Sequence, residues 1–328
     1  MYTFDFEMPD LSWRESKIPK PKKPGEFRKI TIPNDALKAV QEEILKFLVS
    51  VDGLRPSIYA HGFIPHRSTV TGVLRHDRLA DVILCMDVKD FFDTFPIEPV
   101  RNRMLDAGLS EYLTDKILKA CTYKGTLPQG GPCSPYLTNI GMYEVDLMLG
   151  AYARRLGFDY TRYADDLTFS QRFEVTGNRM WKSYYGVYCG VDKMLRAELC
   201  IRLNRPKSHC IRLHGIEHRR VTGVVIRQDG LGYNAPRSMR KKARSMVHKL
   251  YWKVKAQRKL KHADHALWNK TRGYVRYMDW LRSAGQGDAA KADPFINAGK
   301  FKYLEVRFGT RDKQHDSEQH GTLHRKGK

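Results

Sequence analysis

The chain has 328 residues, 41% of them hydrophobic, and carries 58 Lys+Arg against 36 Asp+Glu, a formal charge of +22. That apolar share excludes a disordered polyelectrolyte, and the lack of any run of 18 apolar residues excludes a transmembrane helix. Six scattered cysteines with no C-x-x-C pair suit reduced thiols better than a disulfide framework or a zinc site. The start, Met1 to Glu7, has neither the basic nor the apolar region of a secretory signal, so a cytoplasmic protein of two or three subdomains is expected. A charge excess of this size calls for a polyanionic partner.

Along the chain, Lys17 to Pro24 intersperses lysine with proline and reads as extended or linker-like, since proline repeatedly blocks helix. Phe27 to Ile32 reads as a strand stopping at Pro33. Asp35 is the expected N-cap of a helix from Ala36 to about Val51, with Leu37, Val40, Ile44 and Leu48 as its inner stripe. Asp81 to Met86 is a short apolar run, a buried strand that delivers Asp87 at its end. A helix from about Val100 to Tyr123 leads into a Gly- and Pro-rich loop, Lys124 to Cys133. Ser134 and Pro135 then form the N-cap and first turn of a long helix to about Leu156.

Phe158 to Ser170 reads as a hairpin with its turn near Ala164-Asp165, Leu167 and Phe169 alternating with Thr168 and Ser170. A helix from Trp181 to Leu199 and strands at Ile201–Leu203 and Val221–Ile226 follow. From Arg237 to Lys261 the sequence holds eleven Lys or Arg and no acid, with Met239, Ala243, Met246, Leu250 and Val254 at helical spacing and Tyr251 and Trp252 interleaved. This is an amphipathic helix whose basic face can track phosphates. A merely solvated face is the bland alternative, and an anionic membrane surface a further one that lacks any lipidation motif. Arg311 to Lys328 is a polar, flexible tail. There is no internal repeat, and the interleaved elements give an α/β or α+β class.

Acids at strand ends are where a metal site can form. Asp87 ends one apolar strand, and Asp165 and Asp166 lie at a hairpin turn. Nucleotidyl transfer with two metals needs carboxylates from neighbouring strands, and hard oxygen ligands suit Mg²⁺. Aspartate is also a common turn residue, so either acid group alone would be unremarkable. The loop Leu127 to Pro135 permits close backbone approach to a flat or anionic ligand and runs into a helix N-terminus.

The order of these segments resembles that of reverse transcriptases. Asp87-Val88-Lys89-Asp90-Phe91-Phe92 is similar to motif A, Pro128-Gln129-Gly130-Gly131-Pro132-Cys133-Ser134-Pro135 to motif B, and Tyr163-Ala164-Asp165-Asp166 to motif C. Arg28 to Pro33 and His61 to Ser68 resemble the two fingers motifs, and Leu203 to Ser208 resembles motif D. Val221-Thr222-Gly223 resembles the element of bacterial retron reverse transcriptases. Where those enzymes have Asn-Ala-x-x-His, this chain keeps only His76 of Gly72 to His76.

The resemblance implies an α+β right-hand polymerase: an N-terminal extension and fingers over 1–82, a palm over 83–233, a basic helical thumb over 234–310 and the tail over 311–328. It implies an RNA-directed DNA polymerase with two Mg²⁺ ions held by Asp87, Asp165 and Asp166 and by the backbone carbonyl of Val88. Lys207 would protonate the departing pyrophosphate, and Phe92 would exclude a 2′-hydroxyl. Gln129 and Gly130 would line the nucleotide pocket, and Arg28 and Arg67 would meet the triphosphate; each arginine could equally be structural. His76 receives no catalytic role. RNA contacts fall on Arg240, Lys241, Arg244, Lys249, Trp252 and Lys253, and on the aromatic positions Tyr251, Tyr274 and Tyr277 of the thumb-like region. A retron enzyme implies a cognate noncoding RNA as template and primer, dNTPs, a branched RNA–DNA product, an effector partner in antiphage defence, and no membrane. Another bacterial lineage, group II-like or abortive-infection type, and a non-catalytic RNA-binding scaffold are the rival readings.

Overall fold

The computed structural model describes residues 2, 4–19, 25–172, 184–212, 219–227, 232–256, 261–283 and 299–308. The expected tail over 311–328, the tip of the proline-rich stretch, and the first residues of the helix expected from Trp181 lie outside them. The chain divides into two compact units between Thr222 and Gly223.

The first unit opens with a two-stranded antiparallel ribbon, β1 (Trp13–Pro19) against β2 (Phe27–Pro33). Of the two readings of the Lys17–Pro24 stretch, extended or linker-like, its described start is extended: Lys17, Ile18 and Pro19 pair with Lys29, Arg28 and Phe27, and proline is tolerated because this ribbon is all edge. Ahead of it, Phe4 stacks on Phe47 at 4.4 Å and Phe6 is buried, so the N-terminal segment is strapped onto the core. Helix α1 (Asp35–Ser50) buries Leu37, Gln41, Ile44 and Leu48. Its N-cap is Asn34, whose side chain accepts from the Leu37 amide at 2.7 Å, one residue before the Asp35 expected in that role. Helix α2 (Thr69–Val73) opens with a capping box between Ser68 and Thr71.

Strand β3 (Val82–Asp87) is followed by a short helix α3 (Phe91–Thr94). The single helix expected from Val100 to Tyr123 is two, α4 (Glu98–Asp106) and α5 (Glu111–Cys121). Gly108, at φ +88°, ends the first, and Ser110 caps the second by accepting from the Leu113 amide. The long helix expected from Ser134 is likewise divided into α6 (Ser134–Gly141) and α7 (Tyr143–Arg155). Its N-cap position is Cys133, and Ser134 is buried inside the first turn without capping a backbone amide.

Strands β4 (Asp159–Tyr163) and β5 (Asp166–Gln171) form the expected hairpin. After α8 (Tyr184–Leu199), Ile201–Leu203 makes only a bridge of Leu203 to Val88 instead of a strand. Strand β6 (His209–Arg212) then completes a four-stranded antiparallel sheet in the order β4-β5-β3-β6. Leu84, Met86, Leu167 and Phe169 share one face of this sheet by register, and α7 packs against β4 and α8. Cys85, Asp87, Asp166, Thr168 and Ser170 share the other. The alternation in β5 does not mark a solvated face, because Thr168 and Ser170 are buried too. His76 lies against this face, its two ring nitrogens 2.8 Å from Ser170 Oγ and 2.7 Å from Thr161 Oγ1. Strand β7 (Arg220–Val221) ends the unit; the expected strand Val221–Ile226 is broken by a turn at Thr222-Gly223, both at positive φ.

In the second unit, β8 (Val224–Ile226) pairs with β9 (Tyr233–Asn234), and the basic segment forms α9 (Arg237–Lys255). Its buried stripe is Ala243, Val247, Leu250 and Val254; Met239 and Met246, expected in the stripe, are half-buried at its margins. Lys261 does not continue α9 but precedes α10 (His262–Ser283), its amide donating to Asp264. A last helix covers 299–308.

Candidate active site

Apolar Val82 to Met86 make β3 a strand buried on both faces, and its first polar residue, Asp87, emerges at the end. Across the register stands Asp166, the first residue of β5. Between β4 and β5 the chain turns at Ala164, at φ +54°, and Asp165 follows with its carbonyl accepting from the Val88 amide at 2.9 Å. Three carboxylates thereby crowd the adjoining ends of two strands. Burial pushes the Asp165 carboxyl up, and the Asp87 charge adds to the shift. Asp166 is pushed up to about 6, by loss of hydrating water and then by the charges of Asp165 and Asp87. Asp166 reaches solvent, so the repulsion is the sturdier of its two causes.

Lys207 answers this charge. Its Nζ lies 2.9 Å and 3.1 Å from the two oxygens of Asp87. Arg28, from β2, is a further cation whose field lowers the Asp165 carboxyl, and His209 acts likewise on Asp166. The structure thus brings Asp87, Asp165, Asp166, Lys207 and Arg28 together; His209 was not anticipated, although its place just beyond Lys207 could have marked it. Among the described residues no group of three or more His, Cys, Asp or Glu side chains is already closed around a point that could hold a metal ion. The donors still fit a hard divalent cation: they are all carboxylate oxygens, their charges repel one another, and an ammonium ion already sits on Asp87.

Around these groups, Phe92 is half-buried, its ring edge-on to Phe91 at 5.5 Å, and Phe91 is braced in turn by Phe95 at 5.3 Å. The Val88 side chain is buried. In the motif B-like loop, the Gln129 carbonyl accepts from the Thr31 amide of β2 at 3.0 Å. Gly130, at φ +134°, lies so close that a Cβ would come within 2.5 Å of the Thr31 oxygen, so only glycine fits. Arg67 is different. Its guanidinium is half-buried, with Nη1 donating to the Ser57 and Ala60 carbonyls, which makes it a structural arginine in this conformation rather than one presented to a triphosphate. His76 is structural as well: burial lowers its pKa to about 3, so it is neutral at pH 7.

Sequence reasoning missed a second charged group at the same hairpin. Arg162 and Asp146 are fully buried, with Nε and Nη2 of the arginine 2.8 Å and 2.7 Å from the two carboxylate oxygens. Arg162 lies on β4 and Asp146 on α7, and a pairing between two such elements leaves no local signal in the sequence.

In the second unit, Lys241, Arg244, Lys249 and Trp252 are exposed along α9, whereas Arg240 is half-buried. Lys253 is tied to the buried Asp264 of α10. The helix free of acids in sequence is therefore supplied with one by its neighbour, and Lys253 is less available to a polyanion than expected. Lys255 and Lys300 lie 5.3 Å from the centre of the Trp252 ring. Tyr274 has the Lys242 ammonium at 5.5 Å, and Tyr277 lies beside Trp280. No described helix is long and apolar enough to cross a membrane.

Comparison with known proteins shows the family. The family of reverse transcriptases (RNA-dependent DNA polymerases) matches residues 18–184. The chain is 33% identical over 252 residues to the retron Mx162 reverse transcriptase of Myxococcus xanthus, covering 70% of this chain and 51% of that protein. It is 29% identical over 252 residues to the retron Ec86 reverse transcriptase of Escherichia coli, covering 76% of this chain and 72% of that protein. The chain spans about half the length of the two Myxococcus xanthus retron relatives it matches. A solved structure of apo telomerase from Candida tropicalis shares the fold, with a TM-score of 0.52 at 13% identity over 95% of this chain and 60% of that one.

Proposed function

We propose, from the premise that this chain belongs to the reverse transcriptase family and is similar to its retron members, that it is an RNA-directed DNA polymerase of retron type. The observation that carries the reading is the register of Asp87 against Asp166, with Asp165 at the turn between β4 and β5, inside the matched segment. Its rivals are a polymerase of another bacterial lineage and a non-catalytic RNA-binding scaffold.

In this reading Asp87, Asp165 and Asp166, with the Val88 carbonyl, hold two Mg²⁺ ions, whose chemistry is to activate a hydroxyl nucleophile and neutralise the leaving pyrophosphate. The protein's own residues do the rest. Lys207, paired with Asp87 at the site, would give a proton to the departing pyrophosphate. Arg28, on the exposed ribbon, meets the triphosphate, where a guanidinium matches phosphate oxygens in two-pronged fashion. Phe92, braced by Phe91, fills the space a ribose 2′-hydroxyl would need. Gln129 and Gly130, held on β2, line the nucleotide pocket. Lys241, Arg244, Lys249 and Trp252 contact RNA by phosphate pairing and base stacking, with Arg240 and Lys253 in lesser parts.

The retron reading adds a cognate structured RNA as template and primer, priming from a 2′-hydroxyl of that RNA, a branched RNA–DNA product, and service with an effector protein in antiphage defence in the cytoplasm. The test is product chemistry. Protein purified with the RNA encoded beside its gene, given Mg²⁺ and dNTPs, should make DNA whose mobility shifts on treatment with debranching enzyme. Unbranched DNA moves the chain to another lineage, and absence of DNA under every priming condition leaves the scaffold.

A further inference from the structure

The catalytic face of the sheet does not explain why its other face buries an ion pair. Arg162 is among the largest fully buried side chains of the described residues, and Asp146 is as deeply buried. Such a pair is poor value as stability, because desolvating two charges offsets most of their attraction and an apolar pair of similar volume would do as well. What it does supply is direction. Four donor contacts of the Arg162 guanidinium are filled: two by Asp146, one by Asn139 Oδ1 at 3.0 Å and one by the Ala164 carbonyl at 3.1 Å.

The partners are held in turn. Asp146 also accepts from Ser57 Oγ at 2.7 Å and Tyr160 Oη at 3.0 Å, and Asn139 donates to the Gly62 carbonyl at 2.8 Å. Gly62 itself lies so near the turn that a Cβ there would come within 2.9 Å of the Ala164 amide nitrogen. The Arg162 backbone is clamped on the same segment, its amide donating to Tyr59 and its carbonyl accepting from His61, both at 2.8 Å. Arg162 and Gly62 carry this network to Ala164, a non-glycine residue at φ +54°, in the left-handed region that costs an alanine strain. Such a turn persists only where its surroundings over-determine it, and its next two residues are Asp165 and Asp166.

The geometry points to Arg162 as a positioning residue of the polymerase: with Asn139 and Asp146 it locks the turn at Ala164 and so aims Asp165 and Asp166. This rests on the polymerase reading above. A lysine keeps the charge opposite Asp146 but cannot also span Asn139 and the Ala164 carbonyl.

The experiment compares the parent with Arg162→Lys, Asn139→Ala and a control, Ile44→Val, which trims the buried stripe of α1. Amide hydrogen exchange over 163–167 and steady-state kinetics of dNTP incorporation are read on each. Arg162→Lys should exchange at least 10-fold faster across the turn and lose at least 10-fold in kcat with KM for dNTP within a factor of two; Asn139→Ala should show both effects more weakly. Ile44→Val should keep parent kcat whatever its melting temperature. Parent-like exchange or parent-like kcat in a folded Arg162→Lys overturns the inference, as does a kcat loss that Ile44→Val matches at equal loss of melting temperature. If the parent itself makes no DNA, the polymerase reading fails and the catalytic role of Arg162 with it. The exchange data then still report whether Arg162 holds the turn.

Discussion

One hairpin carries two charged groups that the fold treats in opposite ways. At the open end of β4 and β5, Asp87, Asp165 and Asp166 are packed together with their repulsion relieved only in part by Lys207 and Arg28. On the closed face, Arg162 and Asp146 are matched oxygen for nitrogen and hidden from water. The balanced pair is complete without a ligand and serves rigidity. The unbalanced cluster is what an ion-binding site looks like before its cations arrive, because the fold accepts instability there that binding repays. In the proposed polymerase, function is therefore marked by the charges left unsatisfied, and architecture by those that are satisfied.

That contrast can be broken at either end. The largest stability effect is expected from Arg162→Met, which leaves the Asp146 carboxylate buried without its counter-charge: a loss of about 3–5 kcal/mol, read by urea denaturation. Next comes His76→Phe, which strips hydrogen bonds from the Ser170 and Thr161 hydroxyls. It should lose about 1–3 kcal/mol. The pH dependence should change with it. The His76 pKa falls from 6.5 to about 3 on folding, so its contribution is full above pH 6.5 and is lost progressively as pH drops toward 3. Removing the imidazole should flatten that part of the acid limb.

Asp166 should give a smaller total change of opposite sign. Its pKa rises from 3.8 to about 6, so without divalent cations its contribution is present below pH 3.8 and is lost as pH rises through 6. Melting in EDTA should show Asp166→Asn gaining on the parent between pH 5 and pH 7. Addition of Mg²⁺ should raise the parent's melting temperature more at pH 7 than at pH 5, and the variant's by less. An Asp166→Asn protein that tracks the parent at every pH would mean that the crowding of the acids has no energetic consequence.

The unbalanced end was the legible one. Five apolar residues ending in Asp87, a hairpin turn with two acids, and a Gly-Pro loop before a helix are local signals, and each fell where the sequence pattern put it. The balanced end was invisible because its parts are remote: Asp146, Arg162, Asn139 and Ser57 come from four segments and obey no period. Buried arginine also runs against the composition rule that sends charge to the surface. Element breaks were missed for a different reason. Gly108 and Ser110 hold a stop and a start signal, but the apolar spacing on either side is compatible with one helix and by itself does not show the break. In the second unit, counting acids within α9 overlooked Asp264 in α10, since an ion pair between helices cannot be read from either alone.

The most direct test of the account is RNA-templated incorporation of dNTPs by the purified chain in Mg²⁺, beside Asp87→Asn and Asp165→Asn. The account predicts DNA from the parent, a fall of roughly 10³-fold or more in each variant, as expected when cation-held charge stabilisation of the transition state is lost, and melting temperatures in EDTA no lower than the parent's. Parent and variants making DNA at the same rate would contradict it, because the unsatisfied acids would then have no part in the chemistry.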